Sequence, residues 1–187
     1  MTLSIKTVGA SILATSMLVA LPALADHHMV GGAEMLPERN IVENAVNSED
    51  HTTLVAAVQA AELVDTLSGE GPFTVFAPVN EAFEALPEGT VESLLEPENK
   101  EQLQTVLTCH VVEGEVPAAA VLEMIEAGGG EASIETVGGC TLTASTNEEG
   151  SVIITDENGN AATVTIADVD QSNGVIHVID TVLLPAS

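Results

Sequence analysis

Five histidines and two cysteines carry most of the chemistry open to this 187-residue chain. Catalysis through His110 or His177 would need a nucleophile or a paired acid beside the imidazole. The sequence has no Gly-x-Ser-x-Gly elbow and no metal-ligand spacing around either. The favoured reading is a buried, neutral imidazole that bridges backbone groups of neighbouring strands, with burial opposing its protonation. Asp26-His27-His28 differs in kind. After cleavage behind Ala25, a free amine, two deprotonated amides and the His28 imidazole would make a square-planar nitrogen set suited to Cu(II) or Ni(II). The competing reading is a polar leader whose histidines are incidental. Asp156-Glu157-Asn158-Gly159-Asn160 opens like a calcium loop, but its sixth position is Ala161 and its twelfth Ala167, where Gly and a bidentate Glu belong. A hairpin turn is expected there, and none of these patterns requires a cofactor.

Those residues have to be placed by an exported chain. Met1–Ala25 has one early Lys6, an apolar run through Leu24 and a small-residue cleavage site, Ala23-Leu24-Ala25, which together read as a secretory signal peptide. Residues 26–39 include Gly31-Gly32 and Pro37 with few periodic apolar residues, and the expectation is a flexible leader. Residues 40–187 have the length of one domain. No later apolar run is long enough to cross a bilayer, so the mature chain is expected without an integral membrane segment, in the periplasm, at the cell surface or secreted. Export favours a disulfide between Cys109 and Cys140, whose alternative is two buried thiols that never meet. After Ala25 only Arg39 and Lys100 offset 29 acidic residues, a net charge of 2 − 29 = −27. Nucleic acid binding needs phosphates neutralised by Lys and Arg and is excluded. The scattered acids read as a solubilising surface.

The elements follow from periodicity. Asn40–Asn47 places Ile41, Val42, Ala45 and Val46 on one helical stripe. Asp50 is placed to cap a second helix carrying Leu54, Ala57, Val58, Ala61, Val64 and Leu67. All three phenylalanines lie in Gly71–Pro87, and the chain lacks Trp and Tyr, so the core is expected to centre there. In that stretch Thr74, Val75, Phe76 and Ala77 form a short buried strand ended by Pro78. Asn80 is placed to cap a helix with Val79, Phe83 and Leu86 on one face. Helices are predicted over Thr90–Leu95, Asn99–Thr108 and Pro117–Ala127, with a strand around His110–Val112. Beyond Gly130 the period changes to two. Strands are expected at 134–137, 141–144, 151–155, 162–169 and 175–184, separated by Gly- and Asn-rich turns. Helices first and a meander afterwards predict an α+β domain.

TVFAPVNEAF, beginning at Thr74, resembles the opening conserved box of the fasciclin domain, and GVIHVIDTVLLP (Gly174–Pro185) resembles the closing one. Cys109–Val112 stands where the family has Tyr-His and two apolar residues, so Cys109 departs from the pattern while His110 keeps it. The resemblance covers about Asn40 to Pro185. It implies a wedge-shaped β-sandwich with helices along one side and the two boxes adjacent. The structural residues it marks are Thr74, Val75, Phe76, Ala77, Pro78, Asn80, Phe83, His110, Gly174, His177, Val178 and Asp180. Asp168-Val169 matches an Asp-Ile pair used for receptor contact in animal members, which makes it a candidate contact edge. The function implied is non-enzymatic adhesion through a protein or glycan at the cell exterior. The alternative is periplasmic copper or nickel handling through the N-terminus.

Overall fold

The computed structural model describes residues 28–87 and 89–186. Seven helices come mostly first: α1 (Ile41–Ala45), α2 (Thr52–Ala60), α3 (Val64–Leu67), α4 (Asn80–Glu84), α5 (Thr90–Leu94), α6 (Lys100–Thr108) and α7 (Ala118–Ala127). The strands are β1 (Met29–Val30), β2 (Ala33–Glu34), β3 (Phe73–Pro78), β4 (Val111–Glu113), β5 (Glu131–Glu135), β6 (Thr141–Thr146), β7 (Val152–Thr155), β8 (Ala161–Gln171) and β9 (Gly174–Ile179). The last seven form one sheet in the order β4-β3-β9-β8-β7-β6-β5, which makes the domain α+β. Long β8 joins its two parts. Residues 161–163 pair with β7, and residues from Val164 onward pair with β9 through two register shifts. Such bulges bend a strand, and here they let the β5–β7 meander fold back over the β3–β9 pair.

The two boxes pair directly. β3 and β9 run parallel in one-to-one register, Phe73 opposite Gly174 through Pro78 opposite Ile179. Alternation sends Val75, Ala77, Ile176 and Val178 to one face, where they meet α2 and α6. Phe76 and Ile179 go to the other, where they meet Leu142, Ile154, Ala162, Leu183 and the Val121–Ile125 face of α7. Only Phe76 of the three phenylalanines is fully buried, because Phe73 and Phe83 lie at the margins of the helical side. The core is therefore aliphatic, not centred on aromatic rings as their clustering suggested. Val79, Phe83 and Leu86 do converge, against Ala82, Val106 and Val182.

Several local expectations change. The leader is not loose from residue 28 onward: β1 and β2 form a hairpin, and Val30 and Met35 are buried in the helical-side core. Two apolar residues at the right places outweigh the weak periodicity of this segment. Asp50 caps nothing, since α2 is entered through a 3-10 turn, Glu49–His51, with His51 at the cap. Helix α2 stops at Ala60 because Glu62 turns left-handed (φ 57°), with Glu62 and Leu63 N–H groups closing onto Gln59 and Val58 carbonyls. The expected strand to residue 184 ends at Ile179, and the Leu183 and Leu184 amides beyond it bond to the His110 and Asp156 side chains.

Candidate functional site

The two box histidines sit where the meander closes over the β3–β9 pair. His177 lies opposite Phe76 across the parallel pair, with ring centroids 5.7 Å apart. Its Nε2 donates to the Val116 carbonyl at 2.9 Å, and its Nδ1 accepts from the Asp168 amide at 3.2 Å. His110 Nδ1 donates to the Val106 carbonyl at 2.7 Å, and its Nε2 accepts from the Leu183 amide at 2.9 Å. Each ring thus has one nitrogen that must donate and one that must accept, a requirement met only by neutral imidazole. Burial pushes both pKa values down, that of His110 to about 4. A ring so placed has no nitrogen left for substrate. The bridges reach beyond adjacent strands: His110 ties the end of α6 to the closing box, and His177 ties β8 to the segment before α7.

Asp168 belongs to the same brace. It adopts a left-handed conformation (φ 55°) at the β8 bulge, and its carboxylate accepts from the Ala118 amide at 2.7 Å, the first turn of α7. Val169 is buried. Asp168 thus braces α7 while staying half-exposed, and Val169 points into the core. Asp156 is likewise structural. Its carboxylate accepts from the amides of Asn158, Asn160 and Leu184 and from the Asn160 side chain, which closes the hairpin turn and pins the C-terminal tail. Asp180 accepts from the Thr163 amide at 2.8 Å. Asn80 begins α4 instead of capping it, and its side chain reaches back to accept from the Thr53 amide at 3.0 Å and donate to the Glu49 carbonyl at 2.8 Å. It caps α2, a role set by tertiary approach.

Cys109 and Cys140 form a disulfide, with Cα atoms 5.4 Å apart. Beside it the Val137 amide donates to the Val111 carbonyl at 2.8 Å and Gly138 to the Thr108 carbonyl at 3.0 Å. The turn between β5 and β6 is thereby fastened to β4, at the opposite end of the strand order. Bridge and hydrogen bonds close the bent sheet.

The other face is less complete. Between α1, α2 and the sheet lie two apolar cavities of about 40 and 30 Å³, both bordered by Ile41, Ala45, Leu54 and Val75. His51 borders the smaller one. Its Nδ1 meets Ser48 Oγ at 2.8 Å, but its buried Nε2 makes no hydrogen bond of normal geometry among the described residues. Burial pushes its pKa down, against smaller upward pulls from the Ala77 carbonyl and the Asp50 carboxylate. Nothing in its sequence surroundings singled His51 out. Of the N-terminal nitrogen set, Asp26 and His27 lie outside the described residues, as does the Met1–Ala25 segment. Among the described residues, no three His, Cys, Asp or Glu side chains are grouped to hold a metal ion.

At the end of the sheet where both boxes begin, three loops meet around a polar cleft of about 630 Å³. Its floor is bare backbone. A Cβ on Gly71 would stand 2.1 Å from the Asn173 carbonyl oxygen, and one on Gly174 (φ 149°) would stand 1.9 Å from the Phe73 carbonyl oxygen. Asn173 locks this junction by accepting from the Ile41 amide and donating to the Leu67 and Gly69 carbonyls. Sequence alone marked Asn173-Gly174 only as a turn.

A family model for the fasciclin domain matches residues 49–185. Protein sll1483 of Synechocystis sp. is 55% identical over 145 residues, which are 78% of this chain and 73% of that protein. The transforming growth factor-beta-induced protein ig-h3 of Sus scrofa is 34% identical over 170 residues, covering 87% of this chain but 23% of ig-h3. A solved FAS1 domain pair from the insect cell adhesion molecule fasciclin I superposes with a TM-score of 0.69 at 19% identity, over 78% of this chain and 51% of that one. This chain thus spans about half of the insect pair and about a quarter of ig-h3. No helix among the described residues is long and apolar enough to cross a membrane.

Proposed function

Because the chain belongs to the fasciclin domain family, whose members are typically extracellular adhesion or interaction modules, we propose that it is an exported, non-enzymatic module that binds a protein or glycan at the cell exterior. The observation that carries this reading is the division of labour in the molecule. The box histidines spend both ring nitrogens on backbone bridges, so they serve the scaffold. What that scaffold holds out is a cleft built from three loops at one end of the sheet. Loops carried on a rigid frame are where binding residues concentrate. The insect relative by structure is, by its description, a cell adhesion molecule, which agrees with this reading. Nucleic acid is an unsuitable partner for a chain of net charge −26.

The test is crosslinking of the purified protein on intact cells, followed by identification of what it is joined to. A discrete envelope or matrix component, competed away by excess unlabelled protein, is the expected result. Crosslinks that are diffuse and insensitive to competitor would overturn it.

A further inference from the structure

Two Asn-Gly pairs occur in the chain, Asn158-Gly159 and Asn173-Gly174. Such a pair can react with itself, because glycine has no side chain to keep its amide nitrogen away from the asparagine side-chain carbon. Tertiary structure sets the two apart. Asn173 spends its side chain on the Ile41 amide and the Leu67 and Gly69 carbonyls, and its own carbonyl accepts from the Phe73 amide. A Cβ on Gly174 would stand 1.9 Å from the Phe73 carbonyl oxygen, so no room is left there for a new ring. Asn158 lies in the exposed turn between β7 and β8, and a Cβ on Gly159 would meet nothing within 4 Å. The Gly159 amide donates to the Asp156 carbonyl at 3.1 Å, a bond at the tip of a turn, where local opening costs least.

What Asn158 holds gives the reaction a consequence. Its Nδ2 donates to the Leu184 and Pro185 carbonyls at 3.0 and 2.9 Å, fastening the end of the closing box. We infer that Asn158 is a site of spontaneous deamidation, and that the reaction releases the C-terminal tail from this turn. The Gly159 nitrogen, its proton lost to base, attacks Cγ of Asn158. The N–Cγ bond forms, the Cγ–Nδ2 bond breaks, and ammonia departs with a proton regained from water. Water then adds to either carbonyl of the succinimide ring, giving aspartate or, where the main chain now runs through Cγ, isoaspartate. The Nδ2 donor is replaced by a carboxylate that only accepts, facing two carbonyl oxygens. It also adds a negative charge beside Asp156 and Glu157 in a chain already at −26. The tail thus loses both bonds and gains a repulsion. The change accumulates with time, so the tail records the age of the molecule. This inference is independent of the adhesion reading.

The experiment is slow incubation of the purified full chain at neutral and at mildly alkaline pH, followed by digestion after glutamate and mass spectrometry. Cleavage after Glu157 yields residues 158–187, which contain both Asn-Gly pairs, so fragment ions compare them within one peptide. The expected result is the mass gain of –NH2 replaced by –OH at Asn158, about tenfold or more faster than at Asn173. The rate should rise in alkali, since the attacking nitrogen must lose its proton. Asn158→Gln should remove the signal, because glutamine closes its larger ring far more slowly. Asn158→Asp stands in for the product. In it, hydrogen exchange at the Leu184 and Ala186 amides, now held by Asp156 and Glu157, should quicken about tenfold. The Leu183 amide, held by His110, should stay protected. Equal rates at the two pairs, or modification of Asn158 only in urea, would overturn the site. Unchanged exchange at Leu184 and Ala186 in Asn158→Asp would overturn the release of the tail.

Discussion

The two faces of the β3–β9 pair solve the same packing problem to different degrees. On the meander side Phe76, Leu142, Ile154, Ile179 and Leu183 are all within 2% of complete burial, the cavity beside them measures only about 10 Å³, and His177 is fully hydrogen-bonded. On the helical side the same strands meet short helices that present Ala and Val in large measure. Two larger cavities, of about 40 and 30 Å³, remain, and His51 has a ring nitrogen without a hydrogen-bond partner among the described residues. One cause is compositional: with aromatic residues at 2% of the chain and one ring fully buried, there is only enough bulk to fill one side. Another is geometric. A folded-back sheet interdigitates strand against strand, whereas five- and four-residue helices such as α1 and α3 cannot adjust along a continuous ridge. The lesson is that the filled, satisfied side holds the fold together and the underfilled side has room to be improved.

The largest test is Phe76→Ala, which should cost about 3–5 kcal/mol in chemical unfolding. Leu54→Ala, beside existing cavities, should cost about 2–3 kcal/mol, since some of the packing it would lose is already missing. Equal losses would break the comparison. Reducing the Cys109–Cys140 bridge releases a closure spanning 31 positions. It should lower stability by about 3–4 kcal/mol on the chain-entropy account. Hydrogen exchange should then quicken first at Val137 and Gly138, whose amides cross the same closure.

Histidines separate satisfied from unsatisfied burial more finely. His110→Leu strands the Leu183 amide and the Val106 carbonyl, and should cost about 3 kcal/mol. His51→Leu removes one bond to Ser48 but also an orphaned nitrogen, and should change stability by no more than about 1 kcal/mol. Acid acts on the buried histidines through linkage. The folded pKa of His110 lies at about 4, below the ordinary histidine value of 6.5. The unfolded chain therefore binds the proton first. Full stability is present above about pH 6.5, declines as pH falls, and has lost about 3 kcal/mol from this group by pH 4. His110→Leu should flatten that stretch of the pH–stability curve, and an unchanged slope would remove His110 as its cause. The smallest effect is a gain: Ala45→Val, bordering both cavities, should raise stability by about 0.5–1 kcal/mol.

Much of the fold was legible in periodicity. The change from helical spacing to alternation at Gly130, and the Asn- and Gly-rich turns after it, locate the meander, although its first strand lies at Glu131–Glu135 and not at 134–137. These signals are local, because a strand's two faces and a helix's stripe are written in neighbouring residues. Burial of His110 and His177 was also legible, from apolar runs on either side of each. Which groups they bridge was not. Asn80 looked like a cap for its own helix and caps α2. Asp168 gave no sign in the sequence that it braces α7. Asn173 looked like an ordinary turn residue and locks three segments together. A short polar side chain satisfies whatever backbone group comes within about 3 Å, and that proximity is created by β3 and β9 pairing across 100 residues of intervening chain, a distance no local pattern encodes. The same holds for the cleft and for the cavities. Composition alone determined that this chain would be acidic and poor in aromatic bulk; only the packing of the sheet decided which face would be left underfilled.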